Sequence, residues 1–207
     1  LSSSSAASDV YKRQVEHKSN IIKQYFKIGW LKYVIISTLL FSIGMATTMG
    51  FKNPFQESLG FSISMIGFFW ALSRVGISLL LLVNGWFKKN LTFRQLLLIQ
   101  GITYSLIFLG IGLSPNKWII AFLIILATMV RWGFGSVTSH FYLEFVQDSK
   151  YKVSLLSINS FLGNIVIGGL GLVVGWIVLQ SGFQVAFVYA GLALSLTTVL
   201  ALIILKK

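Results

Sequence analysis

Polar and apolar positions along the chain divide it into six long apolar runs separated by short polar gaps. The runs cover roughly 33–51, 64–86, 95–113, 117–142, 154–179 and 185–205. Each is close to the ~20 residues that a helix needs to cross a bilayer. The pattern predicts an all-α membrane protein with six transmembrane helices. The gaps are Lys52–Ser62, Phe87–Arg94, Ser114–Asn116, Gln147–Val153 and Gln180–Gln184, and both prolines, Pro54 and Pro115, fall inside them as loop markers.

Two segments precede the first run. His17 to Lys32 is lysine-rich with interspersed Ile21, Ile22, Tyr25 and Phe26. That pattern suits an amphipathic helix on the membrane surface, or equally a solvated linker. Residues 15–32 are read as this interfacial segment and 33–207 as the six-span domain. Residues 1–14 are low in complexity, with no apolar core after Lys12 and Arg13, so they are no signal peptide. They resemble a translated sequencing adapter and are expected to be non-native and disordered, the chain then being a fragment without its own N-terminal portion.

Composition agrees with a lipid solvent. Hydrophobic residues make up 56% of the chain and charged residues 11%, more apolar side chain than a soluble domain of this length can hide. Cysteine is absent, which removes disulfides, thiolate metal sites and thiol nucleophiles. The net charge of +12 would suggest nucleic acid in a soluble protein. Here the basic residues follow topology instead. One side carries Lys18, Lys23, Lys27, Lys32, then Lys88, Lys89, Arg94, then Lys150, Lys152, and finally Lys206 and Lys207; the other carries only Lys52 and Lys117. The positive-inside rule then places both termini in the cytoplasm and leaves no basic face for nucleic acid. Trp30, Trp86, Trp118 and Trp176 lie near run ends, as an interfacial belt requires.

A weak echo recurs about 90 residues apart. Leu82-Val-Asn-Gly-Trp86 returns as Leu172-Val-Val-Gly-Trp176, Ser64 aligns with Ser154, and Gly44-Met-Ala-Thr47 is similar to Gly135-Ser-Val-Thr138. Three spans per repeat would give two inverted repeats.

The chemistry-bearing residues are few. Arg74 and Arg131 lie mid-run with no acidic residue at similar depth. A central arginine costs roughly 2.5–3.5 kcal/mol on insertion scales, so two of them point to a polar interior. Three readings compete: an anion or polar-substrate site, pairing with carboxylates in a missing N-terminal half, or capping of backbone carbonyls. Trp70 lies one turn before Arg74, so a cation–π contact is available. His140 and Glu144 stand i, i+4 on one helix face, a pair suited to an inner-gate contact near Lys150 or Lys152. No second histidine falls in a run, and no metal site or cofactor is expected. Ser157, Ser160, Asn164, Gly168, Gly171 and Gly175 form a small, polar stripe that suits helix packing, a cavity border, or both. Thr47 and Thr48 are minor cavity candidates, since threonine in a membrane helix often bonds its own backbone.

Several segments together resemble the major facilitator superfamily, specifically its C-terminal six-span half. They are Pro54 through Gly67; Arg131-Trp-Gly-Phe through Glu144 with Lys152-Val-Ser-Leu-Leu-Ser157; and Gly175 through Gly191. The loop Gly85 to Arg94 takes the place of the family's Gly-x-x-x-Asp-Arg-x-Gly-x-Arg signature but keeps only Gly85 and Arg94, with Lys89 where an acid is usual. Lys152 stands where an arginine is usual. The resemblance implies half of a twelve-span bundle, with spans one, two, four and five lining the cavity and three and six peripheral. It implies secondary transport by alternating access, as a drug-efflux system or small-solute permease.

The expected partners are the lipid bilayer, a small-molecule substrate and an N-terminal six-span half. The expected location is the bacterial cytoplasmic membrane. Arg74, Arg131, Trp70, Phe69, Trp132, Ser160 and Asn164 are expected at the cavity, and His140, Glu144 and Lys152 at an inner gate. Two other classes compete. An enzyme would need His140 with Ser136 or Ser139, which lack an orienting acid at good spacing. A six-span accessory or scaffold protein would do no transport, and in it Arg74 and Arg131 could be replaced without loss.

Overall fold

A computed structural model describes residues 31–145 and 152–205. The adapter-like segment, nearly all of the interfacial segment, Lys150, Lys206, Lys207 and Trp30 lie outside the described residues. Among the described residues eight helices follow one another: α1 Leu31–Met49, α2 Lys52–Ser58, α3 Ile63–Leu82, α4 Asn84–Asn90, α5 Phe93–Leu113, α6 Lys117–Phe145, α7 Lys152–Ser181 and α8 Phe183–Ile204. Among the described residues, α1, α3, α5, α6, α7 and α8 are long and apolar enough to cross a membrane.

These six match the six apolar runs, and the differences have local causes. The second run continues to Trp86, but α3 stops at Leu82 because the chain turns at Val83, whose N–H bonds Leu80 O, into the short α4. The gap Lys52–Ser62 contains α2 rather than loop alone. Pro54 fits there because it lies in the first helical turn, where its missing N–H leaves no bond unmade. Thr92 and Gln95 form a reciprocal capping box at the start of α5, and Ser62 accepts from Met65 N at the start of α3. At 29 and 30 residues, α6 and α7 reach roughly 45 Å, well beyond the ~30 Å hydrocarbon core.

The most extensive helix interface joins α5 to α8, followed by α3 with α6, α1 with α7, α5 with α6, and α1 with α8. Glycine permits the first of these. A methyl group on Gly112 would lie 2.8 Å from Val188 N and Gln184 O, and one on Gly191 would lie 2.9 Å from Leu109 N. Leu96, Leu97, Phe108 and Ile111 of α5 pack against Phe187 and Leu194 of α8, all at most 1% exposed. Phe55 stacks on Phe183 at 5.2 Å and ties α2 to the same core.

Helices α3 and α7 are the least enclosed. Their outward positions include Phe68, Leu72, Val75 and Leu79 on α3 and Phe161, Ile165, Leu172 and Trp176 on α7. A surface this apolar suits lipid. Trp86, Trp118 and Trp176 are all exposed, as an interfacial belt needs. The small-residue stripe of α7 is mostly open: an added methyl group meets nothing within 4 Å at Gly168 or Gly171, and at Gly175 it would only touch Phe51.

Candidate functional site: a polar cavity and a buried cationic cluster

A cavity of about 520 Å³ lies between α1, α5, α6 and α7. Its wall runs from Tyr142 and Leu156, near the α6–α7 end, inward to Phe41, Arg131 and Ile167. Polar side chains come from every wall: Ser37 and Thr38 from α1, Gln100 and Tyr104 from α5, Thr138 and Ser139 from α6, Asn159, Ser160 and Asn164 from α7. Two cross-links shape it. Ser37 Oγ and the Tyr142 hydroxyl share a hydrogen bond between α1 and α6, and Gln100 Nε2 donates to Thr138 Oγ1 at 3.3 Å. The Oδ1 atom of Asn159 is buried without a hydrogen-bond partner among the described residues.

Arg131 stands at the inner end of this cavity, midway along α6 and only 8% exposed. Its Nη1 donates to Thr48 Oγ1 at 2.9 Å, while Nε has no partner among the described residues. Thr48 can accept because its own hydroxyl proton goes to Gly44 O at 2.6 Å. Thr47 bonds Ile43 O in the same way, and neither threonine lines the large cavity. Both threonines thus do what threonine commonly does in a membrane helix, and one also orients the arginine.

Beyond Arg131, toward α2, lies an aromatic and cationic assembly. The Arg131 guanidinium is 4.9 Å from the Trp132 ring, and Arg74 is 6.0 Å from the same ring and 5.3 Å from Trp70. The Lys52 ammonium sits 3.4 Å from the Trp70 centroid. Lys52 is 8% exposed, and it lines a small hollow with Gln56, Phe69, Trp70, Ser73 and Thr128. Burial first, then the charges of Arg131 and Arg74, push its ammonium from the ordinary 10.5 down to about 8.

The expected cavity residues therefore divide. Arg131, Ser160 and Asn164 line the large cavity; Phe69 and Trp70 line the small hollow; Arg74 and Trp132 are exposed on the cluster's outer side. Helix α3, expected at the cavity by the resemblance, contributes no residue to its wall, while α5, expected to be peripheral, contributes two. The reason is packing: α5 is wedged between α6 and α8, so its polar Gln100–Tyr104 edge turns inward. His140 Nε2 and Glu144 Oε1 lie 3.3 Å apart, and neither residue lines the cavity wall. Lys152 opens α7 and makes no ion pair among the described residues.

Sequence reading missed Lys52, Gln100, Tyr104, Tyr142 and Asn159. Gln100 was findable as a lone amide within an apolar run; Lys52 was not, because a lysine in a gap looks like a solvated loop charge. No group of three or more metal-ligating side chains occurs among the described residues. No family model, no curated protein and no solved structure matches the chain.

Proposed function

We propose that this chain forms one six-span half, the C-terminal one, of a secondary transporter of the major facilitator type. It moves a small molecule by alternating access, with both termini in the cytoplasm. The observation that carries the proposal is Arg131, a charge held at mid-helix depth at the inner end of a cavity with polar side chains from four helices. A buried guanidinium with an unpaired Nε is expensive to keep in a membrane protein, and transport gives it a use.

The helix interfaces lend support. Exchanging the first three long helices with the last three turns the α3–α6 interface into α7–α1 and α5–α6 into α8–α1, and leaves α5–α8 as it is. That is the symmetry two inverted three-helix repeats would have. The resemblance of Pro54–Gly67, Arg131–Ser157 and Gly175–Gly191 supplies the family.

The test is transport by the full-length protein carrying Arg131→Met. The expected result is loss of transport with normal membrane insertion, and rescue in part by Arg131→Lys. Unchanged transport by Arg131→Met would overturn the role given to Arg131; no transport by the unsubstituted protein, with Arg131→Met neutral or stabilising in thermal unfolding, would instead favour a six-span scaffold.

A further inference from the structure

Three cations, Lys52, Arg74 and Arg131, converge on two indole rings, yet no carboxylate among the described residues accompanies them. The two acids within the described residues are Glu57 and Glu144. Glu57 is exposed and lies five residues from Lys52, about 140° around α2. Glu144 lies thirteen residues beyond Arg131, about 20 Å along α6, and contacts His140. Helices α1, α3, α5, α7 and α8 contain no acid at all.

We propose that Lys52, Arg131 and Arg74 form a binding site for a small oxyanion, a phosphate, sulfate or similar group, at the α1–α2 end of the bundle.

Lys52 and Arg131 are buried and have Arg74 beside them, so like charges repel one another with little hydration to offset it, and a partner of opposite sign stabilises the arrangement. Hydrogen-bonding capacity has been left for one. Arg131 Nε is buried and unused, and the Lys52 ammonium has a ring face but no hydrogen-bond acceptor among the described residues. The supporting side chains are held in place. Thr48 fixes one arm of the guanidinium, and Asn53 Oδ1 accepts from Trp70 Nε1 at 3.4 Å, orienting the indole against which Lys52 and Arg74 lie. The exposed Arg74 is placed to attract the ion, and the buried pair to desolvate and hold it. A planar guanidinium and a point-like ammonium together suit an oxyanion's several acceptors.

Lys52 also makes the site sensitive to pH. The charged groups facing it are Arg131 from α6 and Arg74 from α3; no acid opposes it from α1 or α8. Its ammonium loses the proton near pH 8, so the empty site drops from three positive charges to two as pH rises through that value. Oxyanion affinity falls over the same interval, and binding draws a proton onto Lys52.

The inference rests on the transporter reading only for the claim that this ion is carried; binding itself is independent of it. The test uses the purified full chain in a chloride-free nonionic detergent, followed by thermal shift and by fluorescence of the tryptophans. One arm titrates inorganic sulfate, whose charge is constant from pH 6 to 9, and inorganic phosphate. The other adds phosphatidylglycerol, whose headgroup offers the same oxyanion chemistry.

The expected result is saturable stabilisation that weakens between pH 7 and 9. Lys52→Gln should raise the half-saturating concentration about tenfold or more, the usual loss for a charge-assisted contact. Lys52→Arg should keep binding but lose the pH dependence, and Arg74→Gln should weaken binding less than Lys52→Gln. A response to the soluble ions identifies a free anion; a Lys52-dependent response to phosphatidylglycerol alone identifies a lipid headgroup, and the site stands in either case. No saturable response in either arm, or equal binding by Lys52→Gln, overturns it. Transport that needs Arg131 in a protein without oxyanion binding overturns this inference alone. Oxyanion binding in a protein whose transport ignores Arg131→Met overturns the transporter reading alone.

Discussion

Arg131 gathers more roles than any other side chain in the described structure. It closes the inner end of the polar cavity, stacks toward Trp132 and bonds Thr48. Removing the Thr48 hydroxyl by Thr48→Val leaves Nη1 unsatisfied and should destabilise the protein by about 1–3 kcal/mol, read by thermal unfolding in detergent. Thr47→Val, one position away, loses only a bond to its own helix and should cost less. Equal effects would mean that Arg131 does not depend on Thr48. Lys52 gives a second residue-level expectation. Its pKa is about 8 folded and 10.5 unfolded, so between those values the unfolded chain binds more protons and stability rises with pH. Without a bound anion, the melting temperature should climb from pH 8 toward 10.5, and Lys52→Gln should flatten the climb.

At the scale of the helices, the apolar runs announced the six long elements because a bilayer imposes both length and composition on a span. Most boundaries moved by two or three residues, and the Val83 turn and the Thr92 cap show short-range chemistry setting an end. Which faces meet was less legible. Gly171 and Gly175 have the small-residue spacing that suggests close packing, but the close approaches of another helix's backbone occur at Gly112 and Gly191. Spacing identifies a helix that could be approached closely; it does not identify the neighbour. Gly191→Ala places a methyl group 2.8 Å from Leu109 Cγ and should destabilise by about 1–3 kcal/mol, whereas Gly168→Ala meets nothing and should be neutral or mildly stabilising. Thermal unfolding of the two variants in one detergent compares them directly. The cavity was half legible for a similar reason. Ser160 and Asn164 were visible as polar breaks in an apolar run, while Tyr104 and Tyr142 look like ordinary aromatics until tertiary packing turns their hydroxyls inward.

Across the whole molecule, the cavity and the cationic cluster lie on opposite sides of Arg131. In the proposed orientation the cavity faces the cytoplasm and Lys52 the outside. With no native cysteine, single cysteines report that orientation cleanly. A membrane-impermeant maleimide applied to intact cells should label Glu57→Cys, and should label Asn90→Cys only after permeabilisation. The opposite pattern would invert the topology. The central claim is that Arg131 marks a hydrated route between helices that otherwise face lipid, and neighbouring positions on α7 test it most directly. Ser160 and Asn164 border the cavity, whereas Phe161 and Ile165 lie at nearly the same depth on its apolar exterior. In membranes, Ser160→Cys and Asn164→Cys should react with a water-soluble thiol reagent while Phe161→Cys and Ile165→Cys stay unreactive. Equal reactivity of all four, or none at any, would contradict a water-filled path ending at Arg131.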